Sequence, residues 1–291
     1  MVSSDSRYAT PVVSRRTTKT GVPPVREYLA QAFRYRTFAY YWSRADIKAR
    51  NFETVLGRIW LTLNPFLFGL IYFVFVAILS GGGLGSSDRL AFIVGNLYAW
   101  GFFSATVITT VSSVQSGAGG ILGQSAVPRI VLPVASTITA AHLFVRSLGA
   151  YIPLHLIASR GLHIEMLWMP LLILLTGLLG LGFGLFLAVI NVYVRDVSRL
   201  LPHMMRLWLY LSPAIWVYTR VSTDSNLDTY ARQNPMYSSL TAWTMAFGGP
   251  LVEGGRGMAI HVLVFGLWAI GTLTVGFLFF ISREDEFAIR N

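Results

Sequence analysis

Six apolar stretches, 59–79, 90–113, 130–158, 167–194, 200–219 and 258–281, follow one another along this chain. A helix needs about 20 residues to cross the hydrocarbon core of a bilayer, and each stretch reaches or approaches that length. Lipid leaves few folds open, because a spanning backbone must satisfy its own hydrogen bonds. The expected architecture is an all-α membrane protein with six transmembrane helices in one domain. The fifth stretch is the weakest, being short and carrying Pro202, Arg206 and Pro213.

Composition agrees. Only 12% of the 291 residues are charged and 54% are apolar, against roughly a quarter charged in ordinary globular domains. The mean hydropathy is +0.58. There is no cysteine, which excludes disulfides, thiol catalysis and cysteine-held metals. The net charge of +10 is concentrated at the start, where eleven basic residues precede the first apolar stretch. Beside a membrane segment such a flank favours the cytoplasmic side and anionic headgroups, so nucleic acid is not an expected partner. No cleavable signal peptide is expected, since the first apolar run begins only near Ile59.

Residues 1–24 are rich in Ser, Thr, Val and Arg without periodicity and read as a disordered cytoplasmic tail. Residues 25–57 interleave Tyr28, Phe33, Tyr35, Phe38, Tyr40, Tyr41 and Trp42 with Arg34, Arg36, Arg44, Lys48 and Arg50. That pattern predicts an amphipathic helix lying along the headgroups. Residues 58–281 form the six-helix domain, and 282–291 a cytoplasmic C-terminal tail. With the N-terminus inside, sixteen basic residues fall in inner segments and five in outer ones. The bias places both termini in the cytoplasm and gives an even number of crossings.

The outer connection between the fifth and sixth stretches is unusual. Residues 236–247 are apolar but too short to span, led by Asn234-Pro235 and closed by Gly248-Gly249-Pro250. A re-entrant hairpin in the outer leaflet is expected, since Trp243, Met245 and Phe247 would be poorly covered in a helix lying on the outer surface.

Several chemistries are missing. The glycine-rich run 81–87 has no lysine and does not form a phosphate-binding loop. ATP and magnesium, if they drive this chain, belong to a separate subunit, and no cofactor or metal is expected here. The thirteen acidic residues lie in tails and loops, and the five histidines show no metal spacing. Neither catalysis nor proton coupling is expected.

Arg146 stands out in the third stretch, with ten or more residues on either side and His142 one turn earlier on the same face. A cation there faces a hydrated cavity or an anionic group, or snorkels to a helix break. The membrane aromatics, among them Tyr98, Trp100, Phe102, Trp208 and Tyr210, suit stacking on sugars in a channel and equally suit lipid contact. Gly180 and Gly184 in the fourth stretch permit close helix packing.

The run Tyr40-Tyr41-Trp42-Ser43-Arg44-Ala45-Asp46-Ile47-Lys48-Ala49-Arg50, then Thr54-Val55-Leu56-Gly57-Arg58-Ile59-Trp60 and Asn64-Pro65, resembles the entry segment of polysaccharide-exporting ABC-2 permeases. Those are the membrane subunits of O-antigen, teichoic-acid and cell-wall galactan exporters. Val127-Pro128-Arg129-Ile130-Val131-Leu132-Pro133, Asn191-Val192-Tyr193-Val194-Arg195-Asp196-Val197, Leu211-Ser212-Pro213-Ala214-Ile215-Trp216, Asn234-Pro235-Met236 and Phe280-Ile281-Ser282-Arg283-Glu284 followed by Phe287-Ala288 are similar to further family segments, in order. The overall flavour is most like that of actinobacterial galactan exporters.

The resemblance implies a homodimer with the conduit between its copies and two ATPase subunits bound below, in a bacterial cytoplasmic membrane. It implies coupling segments at 119–128 and 195–199, with Gln124, Pro128, Arg129, Arg195, Asp196 and Arg199. An external gate would hold Asn234, Pro235 and Trp243. The cargo would be a polysaccharide on a polyprenyl pyrophosphate carrier, with Arg34, Arg36, Arg44 and Lys48 where the pyrophosphate arrives. Two other readings stay open from the residues, an ABC-2 exporter of a small lipid or drug and a membrane-embedded glycan-processing enzyme.

Overall fold

The computed structural model describes residues 24–50, 87–118, 127–157, 161, 163–214, 233–249 and 257–288, with six single positions between 63 and 78. The 1–23 tail, most of the first apolar stretch, Gln124 with the rest of 119–126, residues 215–232 and 250–256, and the last three residues lie outside the described residues.

The described residues form helices α1 (Val25–Arg34), α2 (Arg36–Arg50), α3 (Ser87–Ala118), α4 (Val131–Ile157), α5 (Met169–Tyr193), α6 (Asp196–Leu211), α7 (Pro235–Ala246) and α8 (Met258–Arg283). Short 3-10 turns at Ile164–Trp168 and Glu284–Ala288 precede α5 and follow α8. The chain is a multi-pass membrane protein. Among the described residues, four helical segments are long and apolar enough to cross a bilayer: Gly95–Gln115, Val131–Gly149, Ile164–Tyr193 and Met258–Arg283. They coincide with the second, third, fourth and sixth apolar stretches. The first part of the fifth stretch lies in α6, a helix of 16 residues that continues through Pro202.

Several hydroxyl side chains in these spans are satisfied within their own helices. Thr106 donates to the Phe102 carbonyl, Thr139 to Ala135, Thr176 to Leu172 and Thr272 to Trp268. This back-bonding lets a polar residue sit in a helix without a water partner.

The bundle is built around α5. Gly180 and Gly184 lie on the side chains of Thr106 and Thr110 of α3, where added Cβ atoms would stand at 2.8 and 2.5 Å from the threonine Cβ atoms. On another face, a Cβ at Gly182 would meet the Thr272 and Leu273 backbone of α8 at 2.5–2.8 Å. Gly276 in turn rests against the Gly182 carbonyl. Lipid offers no hydrophobic drive between helices, so such close contacts, rich in van der Waals attraction, carry much of the association. α4 closes on α3 through the stacked rings of Phe102 and Phe144, 4.7 Å apart. α8 buries Val262, Phe265, Ala269, Gly276 and Phe280 and leaves Leu263, Leu267, Ile270, Val275 and Leu278 exposed.

Candidate functional site

Four groups of side chains correspond to the roles expected from sequence. The first is on α2. Ala39, Ser43 and Ile47, four residues apart, make its buried stripe. Ala39 packs with Val131 and Ala135 of α4, and the Ser43 Oγ lies 3.5 Å from His142 Nδ1. From Val131 to His142 this contact climbs roughly 16 Å along α4, so α2 leans against the bundle. Its other faces present Tyr40, Tyr41, Trp42, Arg44 and Lys48. Arg34 and Arg36 are also exposed, with the Arg36 guanidinium 4.3 Å from the Phe33 ring centre. Arg44 lies over Tyr40, which itself contacts His142 edge-on at 6.1 Å. Arg146 is exposed one turn beyond His142, about 22 Å from the start of α4 along its axis.

The second group is the basic end of the bundle. Asn191 of α5 accepts a hydrogen bond from the Ser198 backbone N–H at 2.9 Å, turning the chain sharply from α5 into α6. Arg195, Asp196 and Arg199 are thereby presented outward, with Arg199 and Asp196 3.7 Å apart and both side chains solvent-facing. Pro128 is buried and Arg129 half-buried at the turn into α4. Glu284 accepts from the Arg129 backbone N–H at 2.9 Å, and the Tyr193 hydroxyl donates to Glu286. The buried Tyr28 of α1 lies beside Glu284 without meeting hydrogen-bonding geometry. Burial first, and the neighbouring carboxylate second, push its pKa well above the usual tyrosine range. Asn191, Tyr193, Glu284 and Glu286 were not among the expected site residues. Asn191, Tyr193 and Glu284 were present only as members of the ordered motifs, and Glu286 lay between the quoted positions of the last one.

The third group is the aromatic set. Tyr98, Trp100 and Phe102 are buried inside the protomer. Tyr98 packs on Tyr151 at 5.5 Å, Phe102 on Phe144, and Trp100 on Phe103 and Trp208 at 5.6 and 5.8 Å. Trp208 is half-buried among Trp100, Phe103 and Phe183, each ring meeting it edge-on. Within the set, Tyr210 faces outward, on the side of α6 that also exposes His203, Arg206 and Leu207.

The fourth group is α7. Every residue from Met236 to Phe247 is buried, so Trp243, Met245 and Phe247 are fully covered. The Asn234 side chain caps the helix, accepting from the Met236 N–H at 3.0 Å and from Trp208 Nε1 at 3.1 Å. It also donates to Ser212 Oγ at 2.9 Å. Pro235 occupies the first helical turn, where its missing N–H costs nothing. Trp243 Nε1 donates to Thr176 Oγ1 at 3.2 Å, and Asn96 of α3 pairs with Thr244 at 2.9 Å. Beyond the C-terminus, Gly248 has φ +69° and lies on the His163 ring, leaving no room for a Cβ. α7 thus begins level with the end of α6 and ends beside Tyr151 and His155, at the opposite end from the basic residues.

Among the described residues no group of three metal-ligating side chains comes together. No protein-family model matches the chain. It is 26% identical over 261 residues to the O-antigen export system permease protein RfbA of Myxococcus xanthus, covering 89% of this chain and 96% of that one. The permease of the same name from Klebsiella pneumoniae is 22% identical over 205 residues, 69% of this chain and 76% of its own length.

Over most of its length the chain is similar to O-antigen export permeases.

The match runs across nearly the whole Myxococcus permease and most of this chain. The resemblance to polysaccharide-exporting ABC-2 permeases, carried in the sequence by ordered short motifs, therefore stands. These relatives are permease subunits of export systems, which agrees with a transporting rather than a catalytic chain.

Proposed function

We propose that this chain is the transmembrane subunit of an ABC exporter that moves a polyprenyl-pyrophosphate-linked polysaccharide, O-antigen-like or a cell-wall galactan, out across the bacterial cytoplasmic membrane. The observation that carries this is the match to O-antigen export permeases over 89% of the chain. Two copies form the conduit between them. The basic end of the bundle faces the cytoplasm and receives two ATPase subunits, which bind and hydrolyse ATP with magnesium.

In this reading the segment around Gln124, Pro128 and Arg129 and the corner at Arg195, Asp196 and Arg199 rest on the ATPases. Arg34, Arg36, Arg44 and Lys48 receive the pyrophosphate. Guanidinium and ammonium groups bind phosphate oxygens strongly when partly desolvated. Arg146, His142, Trp208 and Tyr210 remain candidates for the wall of the path, whereas Tyr98, Trp100 and Phe102 support that wall from inside. The chain crosses six times, and α7 with its return leg closes the path on the external side.

Co-purification with its ATPase, reconstitution in liposomes and measurement of ATP hydrolysis test this reading. Hydrolysis stimulated by glycan-bearing polyprenyl pyrophosphate supports it. Stimulation by small lipids or drugs alone overturns it in favour of a small-molecule exporter.

A further inference from the structure

The last described turn of the chain joins three elements that are far apart in sequence. After Arg283 the final helix tightens into the 3-10 turn Glu284–Ala288. The turn is held down by Phe287, which is fully buried against Phe280 at 5.2 Å. Folding Phe287 inward sets Glu284 and Glu286 on separate partners. Glu284 takes the backbone N–H of Arg129, 155 positions away, at 2.9 Å. The Arg129 guanidinium lies over the Phe287 ring, 5.8 Å from its centre. Glu286 takes the hydroxyl of Tyr193, 93 positions away, and the guanidinium of Arg283 at 2.8 Å. Tyr28 of α1 packs on Phe277 at 6.0 Å and lies beside Glu284.

Arg129 and Tyr193 mark two corners. Arg129 closes the segment that leads into α4. Tyr193 is the last residue of α5, directly before the Asn191-capped turn into α6. The Glu284 carboxylate meets a backbone N–H at the start of α4, where a negative charge is favoured by the helix dipole. The Arg283–Glu286 pair is solvent-facing and contributes little by itself, but it orients the carboxylate toward Tyr193.

We propose that residues 283–287 form a clip that fixes the Arg129 corner to the Tyr193–Arg199 corner, with Glu284 and Glu286 as positioning residues. The two corners then move as one body. Resting on the reading that these corners contact ATPases, the clip makes a displacement at either corner reach both α4 and α6. Transport and hydrolysis stay in step because neither corner yields alone.

The chain has no cysteine, so spin labels on V127C and V194C, in labelled chains diluted with an excess of unaltered chains so that each dimer carries at most one labelled copy, report the corner-to-corner distance within one copy. Pulsed electron paramagnetic resonance in nanodiscs gives the width of that distance distribution without any ATPase present. The expected result is a single narrow distribution that broadens in E284A/E286A. Y193F, which removes one hydroxyl and leaves the core intact, broadens it to a lesser degree and serves if the double variant fails to fold. An unchanged width in a folded variant overturns the clip. In the reconstituted exporter, E284A/E286A should hydrolyse about fivefold or more ATP per molecule exported. E284Q/E286Q, which keep acceptor oxygens, should recover most of the coupling. A broadened distribution with unchanged coupling overturns the mechanical role. Failure of the unaltered chain to bind an ATPase overturns instead the reading of the corners as docking segments, and the label distances still decide the clip.

Discussion

Trp208 donates its indole N–H to the Asn234 side-chain oxygen at 3.1 Å, and that same oxygen caps α7 through the Met236 N–H. One atom therefore ties the end of α6 to the start of α7. Asn234→Ala removes both bonds and leaves the buried end of α7 uncapped. Loss of such a cap costs about 1 kcal/mol. The variant should show a lower unfolding temperature in detergent and, in liposomes, a leak to small solutes that the unaltered protein lacks. Retained tightness would remove α7 from the external closure.

Gly182 should accept no larger residue. A Cβ there meets backbone atoms of Thr272 and Leu273, which cannot rotate away. Gly182→Ala should cost about 1–3 kcal/mol through overpacking, read as a drop in thermal stability of the purified chain. Gly271, where an added Cβ meets nothing within 4 Å, supplies the control, and Gly271→Ala should leave stability unchanged or slightly raised.

Charge reversal tests the outward corner. Arg195 and Arg199 are both exposed, and Arg199 faces solvent beside Asp196, so R195E/R199E should fold normally. It should nevertheless uncouple ATP hydrolysis from export. Unchanged export in the double variant would remove both residues from the coupling role.

Arg146 separates a path-lining cation from an idle one. Arg146→Leu should reduce export at least about tenfold while Arg146→Lys retains most of it, if the charge meets an anionic group or hydrated wall at mid-bilayer depth. Full activity of the leucine variant, at normal expression, would identify a snorkelling side chain.

The helices were legible where the apolar pattern was uninterrupted. The sixth stretch, 258–281, matches α8, Met258–Arg283, within two residues, and the glycines of the fourth stretch do make the close contacts that their spacing suggests. The aromatic set was less legible. Tyr98, Trp100 and Phe102 were expected among channel residues, but an aromatic count carries no information about which way a ring points, and all three turn inward. The tilt of α2 along α4 was hidden for a related reason. Interleaved cations and rings announce an interface, whereas the buried stripe Ala39, Ser43, Ile47 is small and half polar. Hydrogen bonds spanning 93 and 155 positions, as at Glu286 and Glu284, leave no local pattern at all.

The meeting of Gly182 and Gly276 has a mechanical corollary. Helices that slide past one another do so by repacking interdigitated side chains, and at this seam main chain touches main chain with nothing between to repack. α5 and α8 therefore behave as one fixed mast in the membrane. Any stroke that carries cargo must be taken up around that mast, by the polar-capped α6 and α7 and by the leaning α2, while the mast itself holds its place.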